Sequence, residues 1–143
     1  MSSDLVHDSN KINLLLVDDE QAYVNILSRR LERKGFQVKV ANNGTQAIEL
    51  ARIEDFDVAV LDLKMDDMDG IEVLKIFKKM APNMIVIMLT GHGSEQAARD
   101  GIKFGAFVYL IKPCDFEDLV AKICEANEDK KSMLIKNANT ALL

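Results

Sequence analysis

The chain has 143 residues, 48% of them hydrophobic, which is enough for one domain with a sizeable core and too short for two ordinary domains. Its formal net charge of -5 disfavours direct binding to nucleic acid or to anionic lipid. No apolar run approaches the ~20 residues that span a bilayer, and residues 1–8 lack the pattern of a signal peptide. The composition predicts a soluble, cytoplasmic protein with neither nucleic acid nor membrane as a direct partner.

After a polar, aperiodic stretch at residues 1–10, which predicts a disordered N-terminal arm, five apolar runs alternate with five amphipathic stretches. The predicted strands cover residues 12–17, 36–41, 57–61, 84–89 and 106–111. The predicted helices cover about residues 23–31, 45–54, 70–81, 94–103 and 116–127. This strict alternation predicts an α/β fold of five βα units, doubly wound, with a parallel sheet and helices on both faces.

The character of each strand limits its place in the sheet. The first, third and fourth runs are apolar throughout, as expected for central strands covered on both faces, while 36–41 alternates and suits an edge. Run 106–111 is more apolar than an edge strand usually is, which predicts a partner surface nearby. The folded unit is expected to span residues 11–127. Residues 128–143 would form a tail that extends the last helix, dimerises or links to a further domain.

Polar residues follow four of the predicted strands. They are Asp18, Asp19, Asp62, Thr90 and Lys112. Because the carboxyl ends of parallel strands share one edge of the sheet, these side chains are expected to converge. Clustered carboxylates ionise together only around a cation, and hard oxygen ligands favour Mg²⁺, or Mn²⁺ in its place. A carboxylate beside a divalent ion and a lysine is suited to attack phosphorus, so we predict an aspartyl phosphate at Asp62.

Each of these residues also has an ordinary explanation when taken alone. Asp18 and Asp19 suit the N-terminus of a helix, where the dipole favours acidic side chains. A single lysine is usually a solvated surface residue, and a threonine at a strand end is usually a turn residue. Their joint placement on one edge of the sheet favours a functional site.

Several short stretches occur in a characteristic order and spacing. They are Leu16-Val17-Asp18-Asp19-Glu20, then Leu61-Asp62 with Met65 three and Gly70 eight residues after Asp62, then Leu89-Thr90-Gly91, then Tyr109 three residues before Lys112-Pro113. Together they resemble the receiver domain of two-component response regulators, the CheY-like superfamily. The resemblance covers residues 12 to about 126. It implies a flavodoxin-like sheet in the strand order 2-1-3-4-5.

The same resemblance implies a set of metal ligands around the phosphoacceptor. Asp62 would accept the phosphoryl group and contribute to the metal site. Asp19 would bind Mg²⁺ directly, and Asp18 would act largely through a metal-bound water. The backbone carbonyl of Lys64 would be a further ligand.

It also implies a switch. Lys112 would pair with the phosphoryl group, and its bond to Pro113 would be cis. Thr90 would move to donate a hydrogen bond to the phosphoryl oxygen, and Tyr109 would swing inward into the space left behind.

Three further positions lie close to the expected site. Asp66 stands where the family commonly has proline, so the loop is expected to be looser and an extra carboxylate lies near the metal. His92 and Lys64 occupy positions that in the family tune hydrolysis of the acyl phosphate. The acidic residues Asp66, Asp67 and Asp69 are expected to form a solvated loop.

Three classes of function are considered for a chain with these residues. The favoured class is a signalling switch that is phosphorylated by a sensor histidine kinase or a phosphotransfer protein. It would present residues 94–127 to an effector protein. Its only chemistry would be its own phosphorylation and dephosphorylation. It could stand alone, homodimerise on phosphorylation, or be part of a larger transcriptional or enzymatic regulator. An aspartyl-phosphate hydrolase is disfavoured because Lys64 replaces its acid/base aspartate. A flavin-binding module is disfavoured because Asp18 and Asp19 have the wrong charge for a phosphate loop.

Overall fold

The computed structural model describes residues 11–91 and 93–142, so the predicted arm at residues 1–10 lies outside the described residues. Within them, five strands alternate with five helices. The strands are β1 (Asn13–Val17), β2 (Gln37–Ala41), β3 (Val58–Leu61), β4 (Ile85–Thr90) and β5 (Val108–Ile111). The helices are α1 (Gln21–Arg33), α2 (Gly44–Ile53), α3 (Gly70–Met80), α4 (Glu95–Lys103) and α5 (Phe116–Leu142). The strands are all parallel, in the order β2-β1-β3-β4-β5, which confirms the predicted fold class.

The apolar strands divide their side chains between two cores, because successive residues of a strand point to opposite faces. On one face, Leu15 and Leu61 pack with Phe77 of α3. On the other, Leu14 and Val60 pack against α1 and α5. β1, β3 and β4 are therefore buried on both sides, as their unbroken apolar runs predict.

The two edge strands differ. β2 alternates exposed and half-buried residues up to the buried Ala41, as predicted for an edge strand. β5 forms the opposite edge, and its side chains are half-buried except Ile111, which is 54% exposed. Ile111 is therefore the most exposed side chain of β5.

Polar side chains cap four of the helices, and at the start of α5 the carboxylate of Asp115 accepts a hydrogen bond from the amide of Asp118. Asn43 accepts a hydrogen bond from the amide of Gln46 at the start of α2, and Asp69 accepts one from Ile71 at the start of α3. The predicted cap Ser94 is confirmed, since its hydroxyl accepts a hydrogen bond from the amide of Ala97. These caps satisfy amides that have no partner inside their own helix.

The last helix continues beyond residue 127 as far as Leu142. Lys130, on this continuation, forms an ion pair with Asp57 at the amino end of β3, with 2.8 Å between its Nζ and Oδ1. Met133, further along, packs against the core cluster on the α1 and α5 face. Among the described helices, none combines the length and apolar character needed to cross a bilayer.

Candidate functional site

The sheet fixes the backbone of the site residues just beyond the ends of their strands. The amide of Asp62 donates to the carbonyl of Val17 at 3.0 Å, and the amide of Lys112 donates to Thr90 at 2.9 Å. The amide of Asp18 donates to Ala41 at 3.1 Å. These bonds continue the ladders of the sheet by one residue, so the side chains of Asp18, Asp62 and Lys112 start from rigid positions on one edge.

Lys112 lies at the centre of the cluster. Its Nζ is 2.6 Å from Oδ2 of Asp18, 3.3 Å from Oε1 of Glu20 and 3.7 Å from Oδ2 of Asp62. It also lies 4.4 Å from the centroid of the Tyr23 ring, a cation–π contact. The sequence therefore predicted correctly that Lys112, Asp18 and Asp62 would come together, while Glu20 and Tyr23 were not anticipated.

The electrostatics of the cluster are dominated by negative charge, because three carboxylates face one ammonium group. Burial, which outweighs the hydrogen bond with Lys112, raises the pKa of Asp18. Burial works against the charged form of Lys112, but the hydrogen bond to Asp18 and the charges of Asp18, Asp62 and Glu20 outweigh it and raise the pKa of the lysine. An excess of negative charge raises the pKa of acids and bases alike. A bound cation would therefore be stabilised by the carboxylates of this cluster.

Asp62 has one oxygen that the protein does not use. Its side chain is 2% exposed, and Oδ1 is buried with no hydrogen-bond partner among the described residues. A buried carboxylate oxygen normally has a partner, because losing water without replacement costs about 1–3 kcal/mol. An unsatisfied oxygen at the carboxyl edge of a central strand is the group that a ligand or a reacting atom would meet.

The carboxylates fit a divalent ion. One oxygen each from Asp18, Glu20 and Asp62 lies within 4.8 Å of the others. Hard oxygen donors with an exposed neighbour such as Glu20, which leaves room for water ligands, suit Mg²⁺ or Mn²⁺. Asp19, predicted as the direct ligand, is half-buried and is not a member of this group within the described part of the chain, so its role stays a prediction.

Glu20 reaches the cluster because of its place in the chain. It is the residue before α1, its backbone is extended, and its side chain caps no amide of the helix. Its own amide instead donates to Oδ1 of Asp18 at 2.9 Å. A third acidic residue after Asp18 and Asp19 was the available signal for this role.

Thr90 and Tyr109, the predicted switch residues, occupy β4 and β5. Thr90 is fully buried at the end of its strand. The Tyr109 ring is directed inward: a Cβ on Gly93 would overlap its hydroxyl, which is buried without a hydrogen-bond partner among the described residues. Burial, with the negative charge of Asp62 as a smaller cause, raises the pKa of Tyr109.

The cis peptide bond implied between Lys112 and Pro113 is present. Lys64 is exposed, and its backbone forms an isolated antiparallel bridge with Asp69. Gly70 packs so closely that a Cβ there would lie 2.6 Å from Cα of Leu63, which only glycine tolerates. His92, predicted to tune hydrolysis, lies outside the described residues.

The acidic residues of the loop, Asp66, Asp67 and Asp69, are all exposed, as the sequence predicted, but two of them also accept hydrogen bonds. Asp66 is exposed and has no hydrogen-bond partner in the described part of the chain, whereas Asp69 caps α3. Asp67 accepts hydrogen bonds from Gly44 and Thr45 at the start of α2. The sequence could not show the Asp67 contact because it joins segments more than 20 residues apart.

Residues 14–124 match the family model of the response regulator receiver domain. The chain belongs to this family. It is therefore a receiver domain of a two-component signalling family rather than a classical enzyme, and the resemblance found in the sequence is confirmed.

Known proteins similar to this receiver domain include larger regulators. The transcriptional regulatory protein ZraR of Klebsiella oxytoca is 40% identical over 116 residues, which cover 81% of this chain and 26% of ZraR. The Escherichia coli ZraR shows 39% identity and 27% coverage of its own length. The chain thus spans about a quarter of the length of the curated relatives it matches.

Two solved structures resemble the receiver domain closely. The beryllofluoride-activated NtrC4 receiver domain dimer has a TM-score of 0.78 and 36% identity, covering 82% of this chain and 98% of that one. A response regulator from Burkholderia pseudomallei, described with a phosphorylated aspartic acid, calcium ion and citrate, has a TM-score of 0.76 and 30% identity. The match covers 89% of this chain and 75% of that one.

Proposed function

We propose that this receiver domain is a phosphorylation-dependent switch in which Asp62 accepts a phosphoryl group with the help of a bound divalent ion. The observation that carries the proposal is the environment of Asp62. Its Oδ2 lies 3.7 Å from Lys112, while its buried Oδ1 has no hydrogen-bond partner among the described residues. One oxygen is thus available to attack phosphorus, and a cation is already in place to stabilise charge that develops on the phosphoryl oxygens.

In this mechanism each neighbour of Asp62 has a distinct task. Asp18 and Glu20, with Asp19 and the backbone carbonyl of Lys64 as the ligands implied by the resemblance, would hold Mg²⁺, which supplies charge neutralisation at the phosphoryl group when bound. Lys112 is held protonated by the surrounding carboxylates and donates hydrogen bonds. Asp62 itself breaks the bond between phosphorus and the donor, forms the acyl phosphate, and later loses the group to water.

The readout is proposed to pass through Thr90 and Tyr109. Thr90 is buried at the end of β4, and Tyr109 lies on the neighbouring strand with its hydroxyl enclosed beneath Gly93. A new hydrogen bond from Thr90 to a phosphoryl oxygen would favour one arrangement of the loop between β4 and α4. Such coupling is typically about 1–3 kcal/mol, which shifts an equilibrium without making it all or none.

The partner surface is proposed to lie on α4, β5 and the first part of α5, within residues 94–127. Apolar side chains are exposed there: Ile102 is 51% exposed, Phe107 36% and Ile111 54%. Exposed apolar side chains mark a binding surface when they form a contiguous patch, and these three are proposed to form one. The phosphoryl donor would be a sensor histidine kinase or a phosphotransfer protein, and the acceptor of the signal an effector protein or a second copy of this chain.

A second form of output is supported by the relatives. Their greater length and the name of ZraR as a transcriptional regulatory protein favour a receiver that is part of a larger regulator. In that case α5, which runs to Leu142, would lead from the receiver towards the next domain. The phosphorylation chemistry proposed for Asp62 is the same in both forms.

The proposal is tested by incubating the protein with acetyl phosphate, or with beryllofluoride, in the presence of Mg²⁺. We expect one covalent phosphoryl adduct by intact mass and one bound beryllofluoride signal by ¹⁹F NMR, both absent in Asp62→Asn and without Mg²⁺. Asp55→Asn is the control, because Asp55 is exposed and precedes the opposite end of β3. An adduct that persists in Asp62→Asn, or no adduct in the native protein, would sink the proposal.

A further inference from the structure

The loop between β3 and α3 carries two of the proposed site groups, Asp62 and the backbone carbonyl of Lys64. Its base is closed by a 2.6 Å hydrogen bond from the amide of Gly70 to the carbonyl of Leu63 and by the bridge between Lys64 and Asp69. Its tip, by contrast, is exposed at Asp66 and Asp67. Lys64 is thus held from the base of the loop, and the orientation of its carbonyl also depends on the tip, because residues 65–68 continue directly from that carbonyl.

Asp67 ties the tip of this loop to another helix. Its Oδ1 accepts a hydrogen bond from the amide of Gly44 at 2.9 Å. Its Oδ2 accepts two from Thr45, one from the amide and one from the hydroxyl, each at 2.9 Å. The backbone hydrogen bonds from Thr45 and Gly44 lower the pKa of Asp67, so the carboxylate is charged when it makes these contacts.

The hydrogen bonds to Asp67 also satisfy backbone amides at the N-terminus of α2. The carbonyl and side chain of Asn43 accept hydrogen bonds from Ala47 and Gln46, which leaves the amides of Gly44 and Thr45 to be satisfied from elsewhere. Asp67 satisfies both, and a negative charge at this end of a helix is favoured by the helix dipole. Three bonds from a rigid helix therefore hold one loop side chain.

Packing reinforces the hydrogen bonds. A Cβ on Gly44 would lie 3.0 Å from the Cβ of Met68 and 3.0 Å from Cγ2 of Val73. The residue after Asp67 thus lies directly against the first residue of α2, and glycine is what allows this approach. The tip of the loop is therefore held by the hydrogen bonds of Asp67 and by the packing of Met68, while Asp66 is exposed and has no hydrogen bond among the described residues.

We propose that Asp67 is a positioning residue of the phosphoacceptor site: by anchoring the loop to α2 it fixes the carbonyl of Lys64 relative to Asp62. This inference rests on the proposed function. The three hydrogen bonds of Asp67 and the close packing of Met68 on Gly44 restrain the loop at its tip, in addition to the contacts at its base. Removing a group that orients a metal ligand typically weakens metal binding about 10–100-fold.

The test measures Mg²⁺ dissociation constants by NMR titration of the native protein and four variants, together with their thermal stability. Asp67→Ala removes the anchor. Asp66→Ala is the matched control, because it removes the same charge from the adjacent position without removing a hydrogen bond. Asp67→Asn has the charge of Asp67→Ala but keeps one acceptor, and Thr45→Val removes only the hydroxyl donor.

We expect Asp67→Ala to weaken Mg²⁺ binding about 10-fold, with Asp67→Asn and Thr45→Val intermediate and Asp66→Ala within about threefold of the native protein. Equal weakening in Asp67→Ala and Asp66→Ala would show a charge effect alone and overturn the inference. So would a loss of stability in Asp67→Ala with unchanged Mg²⁺ binding, since that is the signature of a helix cap only.

Two further outcomes are decisive. If Asp67→Ala does not fold, Asp67→Asn and Thr45→Val decide the matter against Asp66→Ala, and affinities equal to the control would refute the inference. If the native protein binds neither Mg²⁺ nor beryllofluoride, the proposed function fails and the inference falls with it. If the native protein binds Mg²⁺ and all variants bind it with equal affinity, the positioning role of Asp67 is refuted while the proposed function stands.

Discussion

Two aspartates at opposite ends of β3 show how one strand supports both stability and chemistry. Asp57 precedes the strand and Asp62 follows it, and the backbone amide of each donates to β1, to Asn13 and Val17 respectively. The side chains differ. Both oxygens of Asp57 have partners, Lys130 and the amide of Asn13, each at 2.8 Å, whereas Oδ1 of Asp62 has none among the described residues.

The two ends of β3 therefore differ in whether the carboxylate oxygens have hydrogen-bond partners. At the amino end of β3 a carboxylate is matched with one lysine and one amide, which locks α5 to the sheet. At the carboxyl end one lysine is shared by Asp18, Glu20 and Asp62. Unsatisfied buried charge is costly and persists where function requires it, which supports the proposal that the reactive carboxylate lies at the carboxyl end.

The largest expected effect on stability is at the matched end. Asp57→Ala leaves the Lys130 ammonium and the Asn13 amide without their partner, so we expect a loss of about 2 kcal/mol in the free energy of unfolding. Urea denaturation followed by circular dichroism measures it. Asp55→Ala, at an exposed position two residues earlier, should change stability by less than about 0.5 kcal/mol.

Lys130→Ala should reproduce part of the Asp57 effect, and the double variant should cost less than the sum of the two single changes because the partners interact directly. Additive losses would mean that the ion pair makes no contribution. The amino end of β3 would then not be stabilised by its ion pair, and the contrast between the two ends of the strand would fail.

Asp62→Asn should change the free energy of unfolding in the opposite direction. In metal-free buffer it removes a charge from a buried, overly negative cluster, and we expect the free energy of unfolding to rise by about 1 kcal/mol. Addition of Mg²⁺ should stabilise the native protein by binding linkage and should stabilise Asp62→Asn much less. If Asp62→Asn is less stable than the native protein, the Asp62 carboxylate is satisfied in solution, and the contrast with the fully paired Asp57 is wrong.

The smallest expected effect is a pH dependence that originates at Asp18. Burial raises its pKa in the folded protein above the ordinary value of 3.8, so the folded state binds this proton more tightly than the unfolded state. The stability that Asp18 contributes is therefore greatest at acid pH and falls as pH rises from 3.8 through the folded pKa. In metal-free buffer the native protein should lose stability relative to Asp18→Asn over that range.

Urea denaturation of both proteins across this range measures the difference. Lys112 acts in another window: its raised pKa contributes stability below 10.5 that is lost at higher pH. A native protein that gains stability relative to Asp18→Asn between pH 3.8 and neutrality would show that Lys112, rather than burial, controls the Asp18 carboxyl.

The fold could be predicted from the sequence because its main signals are local. Unbroken apolar runs at β1, β3 and β4, and alternation at β2, follow from how many faces of a strand are buried. The convergence of Asp18, Asp62 and Lys112 required only that parallel strands end on one edge. The resemblance to receiver domains then supplied the strand order, which periodicity does not encode.

Contacts between distant segments could not be predicted in this way. Nothing in the local sequence distinguishes Asp67, which accepts hydrogen bonds from α2, from Asp66, which has none among the described residues. Nor does the local sequence place Lys130 beside Asp57. The pattern of residue types determined which strands are buried and which edge carries the carboxylates, because hydrophobic burial and strand direction act through local sequence. Only the tertiary structure decided which carboxylate is paired and which oxygen stays unsatisfied, because pairing depends on distances between residues far apart in the chain.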